Sequence, residues 1–173
     1  MTYWSEIVEA HGPDVWRTAY RLLNHAQDAG DCYQETFLKA FEYAERNAVA
    51  SWPAVLRRIA TTRAMDMLRQ RYRRGAYSQS TSVLDDDVAD GNPSPLVCAE
   101  LKESMEQLRQ AIAELPAVQA EVFWLSEVEF LSHDDIASQL GGTTKQVALW
   151  LHRAKQKLRE LLSARGITNE VRR

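Results

Sequence analysis

Much of what a catalytic or secreted protein would need is missing from this sequence. Two cysteines, Cys32 and Cys98, occur in 173 residues, far apart and without C-x-x-C spacing. That excludes a disulfide framework and a zinc site, and fits reduced thiols in a cytoplasmic protein. The four histidines, His11, His25, His133 and His152, are scattered with no H-E-x-x-H pattern, so no metal or other cofactor is expected. No run of 18 or more apolar residues occurs, which argues against membrane insertion. The opening MTYWSEIVEAHGPD has neither a basic start nor a long apolar core, so no signal peptide is expected there. No glycine-rich phosphate loop or nucleophile elbow is present, and an enzyme is not expected. Asp134-Asp135 reads as an acidic pair at a helix N-terminus, favoured by the macrodipole, rather than as a catalytic dyad. Sustained period-two alternation is also missing, so the expected fold class is all-α, with two small helical domains joined by a flexible linker.

What is there is unevenly charged. The chain carries a formal net charge of −3, with 45% apolar and 26% charged residues. Yet "RRIATTRAMDMLRQRYRR", residues 57–74, holds seven arginines against one aspartate. By segment, residues 1–56 carry −4, residues 57–74 +6, residues 75–142 −11 and residues 143–165 +5. Two basic islands on predicted helices raise the odds of nucleic-acid contact. The acidity between them would hold the islands against the chain itself when DNA is absent, and would suppress non-specific binding.

Helical spacing runs through most of the chain. Trp4 to Leu23 reads as one helix or as two broken at Gly12-Pro13. Asp28 to Arg46 places Phe37, Leu38, Phe41 and Ala44 at helical intervals. Pro53 opens a long helical segment, where a missing N–H costs nothing. "GAYSQSTSVLDDDVADGNPSP", residues 75–95, then changes character, with the Ser, Asp, Gly and Pro content of a linker. A second helical unit starts near Leu96, and each unit is large enough for a small bundle.

In that second unit, "SHDDIASQLGGTTKQVALWLHRAKQKL" has the layout of a helix-turn-helix. Ser132 caps one helix with Asp135 three residues on, Gly141-Gly142 supply the turn, and Thr143 caps the next with Gln146 in the box position. Val147, Leu151, Ala154, Leu158 and Leu161 form the stripe to be buried. The opposite face presents Lys145, Leu149, His152, Arg153 and Gln156, suited to phosphates, base edges and a thymine methyl. A solvated helix packed in a bundle fits the same pattern.

On the helix from Pro53, Leu56, Ile59, Ala60 and Met67 share the predicted inward stripe. Arg58, Thr62, Met65, Arg69 and Arg73 run along an outer face, with Arg57 and Arg71 on its flank. A guanidinium ridge suits a phosphate backbone. Trp52 and Tyr72 could stack on an unpaired base, and Trp52 fits equally as a core anchor.

Three stretches in order resemble a known family. "DAGDCYQETFLKAF" is similar to the D-A-x-D-x-x-Q-E-x-F signature of region 2 of bacterial sigma factors, above all the extracytoplasmic-function (ECF) type. "RRIATTRAMDMLRQRYRR" resembles the helix that follows it. "ELPAVQAEVFWLSEVEFLSHDDIASQLGGTTKQVALWLHRAKQKL" resembles region 4, with its E-L-P start, its Asp135-Ile136-Ala137 and its closing L-H-R-A-x-x-K-L.

The resemblance implies a region 2 domain over 1–74, a flexible acidic linker over 75–95, a region 4 helix-turn-helix domain over 96–165 and a tail over 166–173. It implies core RNA polymerase and promoter DNA as partners, and an anti-sigma factor as regulator. Asp28, Asp31, Gln34, Glu35 and Phe37 match the polymerase-docking helix, where Phe37 fits a core position as well. The −10 contacts would fall at Asn47, Ser51, Trp52, Arg58, Thr62, Arg69 and Arg73. The −35 contacts would fall at Thr143, Thr144, Lys145, Gln146, Leu149, His152, Arg153 and Gln156. The linker's Asp85–Asp90 cluster would imitate nucleic-acid charge. The chain departs from the pattern at Thr62, where Asn is frequent, at Val55 in place of a frequent Trp, and at Gln146 to Trp150, where two basic residues are lost. A stand-alone helix-turn-helix repressor or a helical adaptor for acidic proteins would each use only part of this layout.

Overall fold

A computed structural model describes residues 4–75 and 95–166. These form α1 (Trp4–Leu23), α2 (Ala26–Arg46), α3 (Trp52–Arg73), α4 (Pro95–Ala113), α5 (Ala117–Glu127), α6 (His133–Leu140) and α7 (Thr144–Ala164), with no strand among the described residues. The Asp85–Asp90 cluster, most of the expected linker and most of the tail lie outside the described residues.

Gly12-Pro13 does not break the first helix, which runs on through Pro13. The glycine serves packing instead. A Cβ on Gly12 would stand 2.7 Å from the Tyr33 hydroxyl, so a larger residue there would push the end of that ring aside. Asn24, at φ 47, ends α1 in the left-handed region. His25 then caps α2, its Nδ1 accepting the Asp28 N–H at 3.3 Å. Pro53 stands in the first turn of α3 as expected.

Each unit has an apolar cluster of its own. Ile7, Val15, Ala40, Leu56 and Ala60 knit α1 to α3. Val122, Leu125, Ile136, Ala137, Val147 and Leu151 knit α5 to α7. A third and larger cluster belongs to both. It runs from Leu22, Leu23, Met65 and Leu68 on the N-terminal side to Ile112, Leu115, Trp124 and Leu158 on the C-terminal side.

That shared core corrects one expectation. Met65, assigned to the outer face of α3, is 2% exposed. The side of α3 that a single bundle would leave in water is covered by the second unit. Magnitudes say what holds the two together. Fully burying a Leu or Met side chain contributes about 1.5–3 kcal/mol, whereas a partly exposed ion pair contributes about 0–1 kcal/mol. The shared apolar surface therefore supplies most of the attraction, and the charges set its register.

Candidate nucleic-acid and protein-docking surfaces

The helix-turn-helix forms as its capping residues dictate. The Ser132 hydroxyl accepts the Asp135 N–H at 3.1 Å, and Gly141 ends α6 at φ 66, a left-handed value that favours glycine. Thr143 and Gln146 complete a reciprocal capping box at the start of α7. Val147, Leu151, Ala154 and Leu158 are buried, and Leu161 is half-buried. Thr143, Thr144, Lys145, Gln146, Leu149, His152, Arg153 and Gln156 are all exposed, so one open face carries every residue assigned to the −35 surface. Thr143 and Gln146 are engaged in the cap, and the Thr144 hydroxyl donates to Asp134 at 2.8 Å. Lys145, Leu149, His152 and Arg153 stand open to solvent beside them, and the Gln156 amide donates to Glu160 at 3.5 Å. Leu149 is 46% exposed.

The α3 arginines divide into three groups. Arg63 and Arg71 turn back on α2, where Arg63 donates to Glu35 at 2.8 Å and Arg71 to Asp28 at 2.5 Å. Arg57 and Arg69 turn to the second unit. Arg57 lies 3.9 Å from Glu129, and Arg69 donates to the Leu115 carbonyl at 3.4 Å. Arg58 and Arg73 stay exposed.

Two neighbours on α3 are also engaged by the second unit. The Thr62 hydroxyl donates to Glu121 at 3.0 Å, and the Tyr72 hydroxyl donates to Glu106 at 2.6 Å. Burial holds the Glu121 carboxyl above its usual range, against the lowering pull of Thr62 and Arg58. Burial and the bond to Glu106 likewise push the Tyr72 phenol up. Asn47 and Ser51 stand exposed at the ends of the connection between α2 and α3. Trp52 is half-buried, edge-on to Trp4 at 5.0 Å, and belongs to the N-terminal core. Of the two readings for Trp52, the geometry favours the core anchor.

The α2 residues assigned to docking from the sequence separate as well. Asp28, Asp31, Gln34 and Glu35 line one groove of about 510 Å³ together with Arg63, Met67, Gln70, Arg71 and Arg74. Phe37 is not among them. It packs edge-on against Tyr33 at 5.0 Å in the N-terminal cluster. Sequence reasoning missed Arg63 and Arg71 as groove residues, although their eight-residue spacing places them on one face of α3. It also missed Leu38, which is 61% exposed one turn beyond Gln34. What α2 buries are the small residues Ala29, Cys32, Thr36 and Ala40.

Among the described residues no group of three or more His, Cys, Asp or Glu could hold a metal ion, and no helix is long and apolar enough to cross a membrane.

Comparison with known proteins places the two helical units in one family. Residues 7–74 match the family model for Sigma-70 region 2, and residues 105–158 match that for Sigma-70, region 4. The chain is 32% identical over 164 residues to the ECF RNA polymerase sigma factor SigE of Mycolicibacterium smegmatis, covering 94% of this chain and 63% of SigE. It is 29% identical to the ECF RNA polymerase sigma factor SigL of Mycobacterium tuberculosis, covering 94% of this chain and 90% of SigL. The fold is shared with the sigma factor RpoE of Bartonella quintana, solved with the anti-sigma factor NepR, at a TM-score of 0.55 and 22% identity over 94% of this chain and 98% of that one. It is shared too with CnrH, solved with the cytosolic domain of CnrY, at a TM-score of 0.58 and 22% identity over 93% and 88%. Two matched regions in this order define a sigma-70-type factor. The chain belongs to the ECF branch of the sigma-70 family.

Proposed function

We propose that this chain is a dissociable subunit of RNA polymerase that directs promoter recognition, strand opening and transcription initiation. It performs no chemistry of its own and works in the cytoplasm, where the polymerase is. The observation that carries the reading is the capped helix-turn-helix with an open cationic face, on the same chain as a region 2 bundle whose α2 groove is lined by carboxylates.

The parts divide the work. Asp31 and Gln34 face outward beside the ion-paired Asp28 and Glu35, and together they offer core polymerase a preset groove of mixed charge, in which Arg63, Arg71 and Arg74 stand beside the carboxylates. Arg58 and Arg73 reach phosphates around the −10 element, joined by Arg69, Thr62, Asn47 and Ser51. Lys145, His152, Arg153 and Gln156 contact the −35 duplex, and Leu149 supplies an apolar contact with a thymine methyl. An anti-sigma factor is the expected regulator, as the fold relative RpoE was solved with the anti-sigma factor NepR.

The test is reconstitution. Added to purified core polymerase, the chain should start transcripts at discrete sites in a genomic promoter library, while alone it binds duplex DNA poorly. Absence of promoter-directed transcripts across the library would sink the reading.

A further inference from the structure

Two helices of the C-terminal unit are followed by a residue in the left-handed region. Gly141, at φ 66, closes α6, a position that suits a residue without a Cβ. Beyond α5 the same region is taken by Phe130, at φ 54. A bulky aromatic is strained there, and the surrounding backbone holds it in place. On one side the Glu129 N–H donates to the Trp124 carbonyl at 3.1 Å, and on the other the Leu131 N–H donates to the Leu125 carbonyl at 2.9 Å. Both neighbours are anchored by their side chains as well. Leu131 packs on the cluster of Val122, Leu125 and Ile136, and Glu129 accepts the Thr18 hydroxyl at 3.2 Å. Phe130 between them is 85% exposed. The position therefore combines backbone strain with an apolar ring left in water, and glycine would avoid both. The fold makes no use of the ring, so its use lies with a partner.

The position of the ring indicates which partner. In a helix-turn-helix the first helix crosses the DNA backbone while the N-terminal residues of the second enter the groove. Here the two N-termini stand together, because the Thr144 hydroxyl at the start of α7 donates to Asp134 in the first turn of α6 at 2.8 Å. The start of α6 thus borders the open face that carries Lys145, Leu149, His152 and Arg153. Phe130 leads into that start, two residues ahead of the Ser132 cap. The carboxylates around it are engaged within the chain. Glu127 pairs with Lys155 at 2.9 Å, Glu129 lies 3.9 Å from Arg57, and Asp135 accepts the Ser132 hydroxyl at 2.6 Å. An uncharged ring is left as the most prominent feature of this edge.

We propose that Phe130 is a further DNA contact of the region 4 unit, resting its ring on the deoxyribose edge of the backbone strand that α6 crosses. The contact extends the −35 surface beyond α7, and it rests on the sigma-factor reading only for the identity of the promoter it meets. An apolar contact with sugar carries no base preference of its own. It adds affinity and fixes the angle at which α7 enters the groove.

The experiment uses the full chain without polymerase and compares the wild type with Phe130→Gly and Phe130→Tyr. In Phe130→Gly the midpoint of thermal unfolding should rise by about 2–4 °C as the backbone strain is relieved. The same variant should bind a fluorescent random-sequence duplex at low salt about fivefold more weakly, with an unchanged salt slope, because an apolar contact displaces no counterions. Phe130→Tyr keeps the ring and should match the wild type in both measurements. Lys145→Ala provides the contrast, weakening binding and flattening the slope. A residue with only a structural task would move stability and binding together, whereas here they move in opposite directions. Equal duplex affinity for the wild type and Phe130→Gly, whether measurable or absent in both, overturns the proposal. So does a fall in the melting temperature of Phe130→Gly, which would show that the fold itself uses the ring. A loss seen only in affinity for core polymerase would assign the ring to a protein surface and overturn it too. Duplex binding is read without initiation, so failure here is distinct from failure of the transcript assay.

Discussion

The two cationic helices are handled in opposite ways. The open cationic face of α7 is held in water by a stripe of Val147, Leu151, Ala154 and Leu158 that packs behind it. On α3 the same kind of ridge is split, with Arg63 and Arg71 spent on α2, Arg57 and Arg69 turned to the second unit, and Arg58 and Arg73 left exposed. α3 contributes Met65 and Leu68 to the core shared between the units, and α7 contributes Ala154 and Leu158 to the same core from behind its open face. A cationic stripe alone therefore does not tell whether a helix is ready to bind. The packing behind it and the carboxylates in front of it decide.

The largest effect should come from breaking the shared core. Leu68→Ala should cost about 2–5 kcal/mol in a denaturant titration followed by circular dichroism, as a buried leucine leaves a cavity. Leu149→Ala, on the open α7 face, should change stability by about 0.5 kcal/mol or less. Equal costs at the two sites would erase the distinction between the helices.

Next in size is the effect on DNA. Replacing Arg58, Arg69 and Arg73 by Ala should weaken open-complex formation and flatten its salt dependence by roughly one slope unit per lost phosphate contact. Lys145→Ala with Arg153→Ala should instead weaken duplex binding at the −35 side and leave strand opening on a pre-melted template largely intact. Identical defects from both sets would show that the two faces share one task.

Smaller again is the cap that presents the α7 face. Thr143→Ala should cost about 0.5–2 kcal/mol by removing the acceptor for the Gln146 N–H. An unchanged melting curve would mean the turn is held by other contacts.

The last prediction concerns the covered interior. Burial pushes the Cys32 thiol up to about 11, so it should resist thiol reagents at pH 8 while the half-exposed Cys98 reacts. An unfolded chain releases this proton near 9.0 and the folded chain resists until about 11, so stability should fall as pH rises between those values. Rapid labelling of both cysteines in the native state would place Cys32 outside the core.

Much of this was readable before the fold was seen, and the failures have a common cause. Caps and turns are local, so Ser132, Gly141, Thr143 and Gln146 could be placed from neighbouring residues alone. The α7 stripe was legible because a single face is buried. Met65 was misplaced because helical periodicity knows one partner at a time, and α3 has two. Gly12-Pro13 suggested a break because the close approach of Tyr33 comes from another helix. Phe37 carried both a docking and a core reading on sequence, and its contact with Tyr33 puts it on the core side of α2. Arg63 and Arg71 entered the α2 groove only once α2 and α3 were packed. Long-range contacts decided each of these.

The most direct measurement is a footprint of the chain with core polymerase on a promoter found by the transcript assay, read by permanganate for unpaired thymines and by nuclease for duplex protection. The account predicts unpaired thymines near the −10 element that vanish when Arg58, Arg69 and Arg73 are replaced, and −35 protection that vanishes when Lys145 and Arg153 are replaced. A promoter that melts and is protected equally well with either set of residues removed would contradict it.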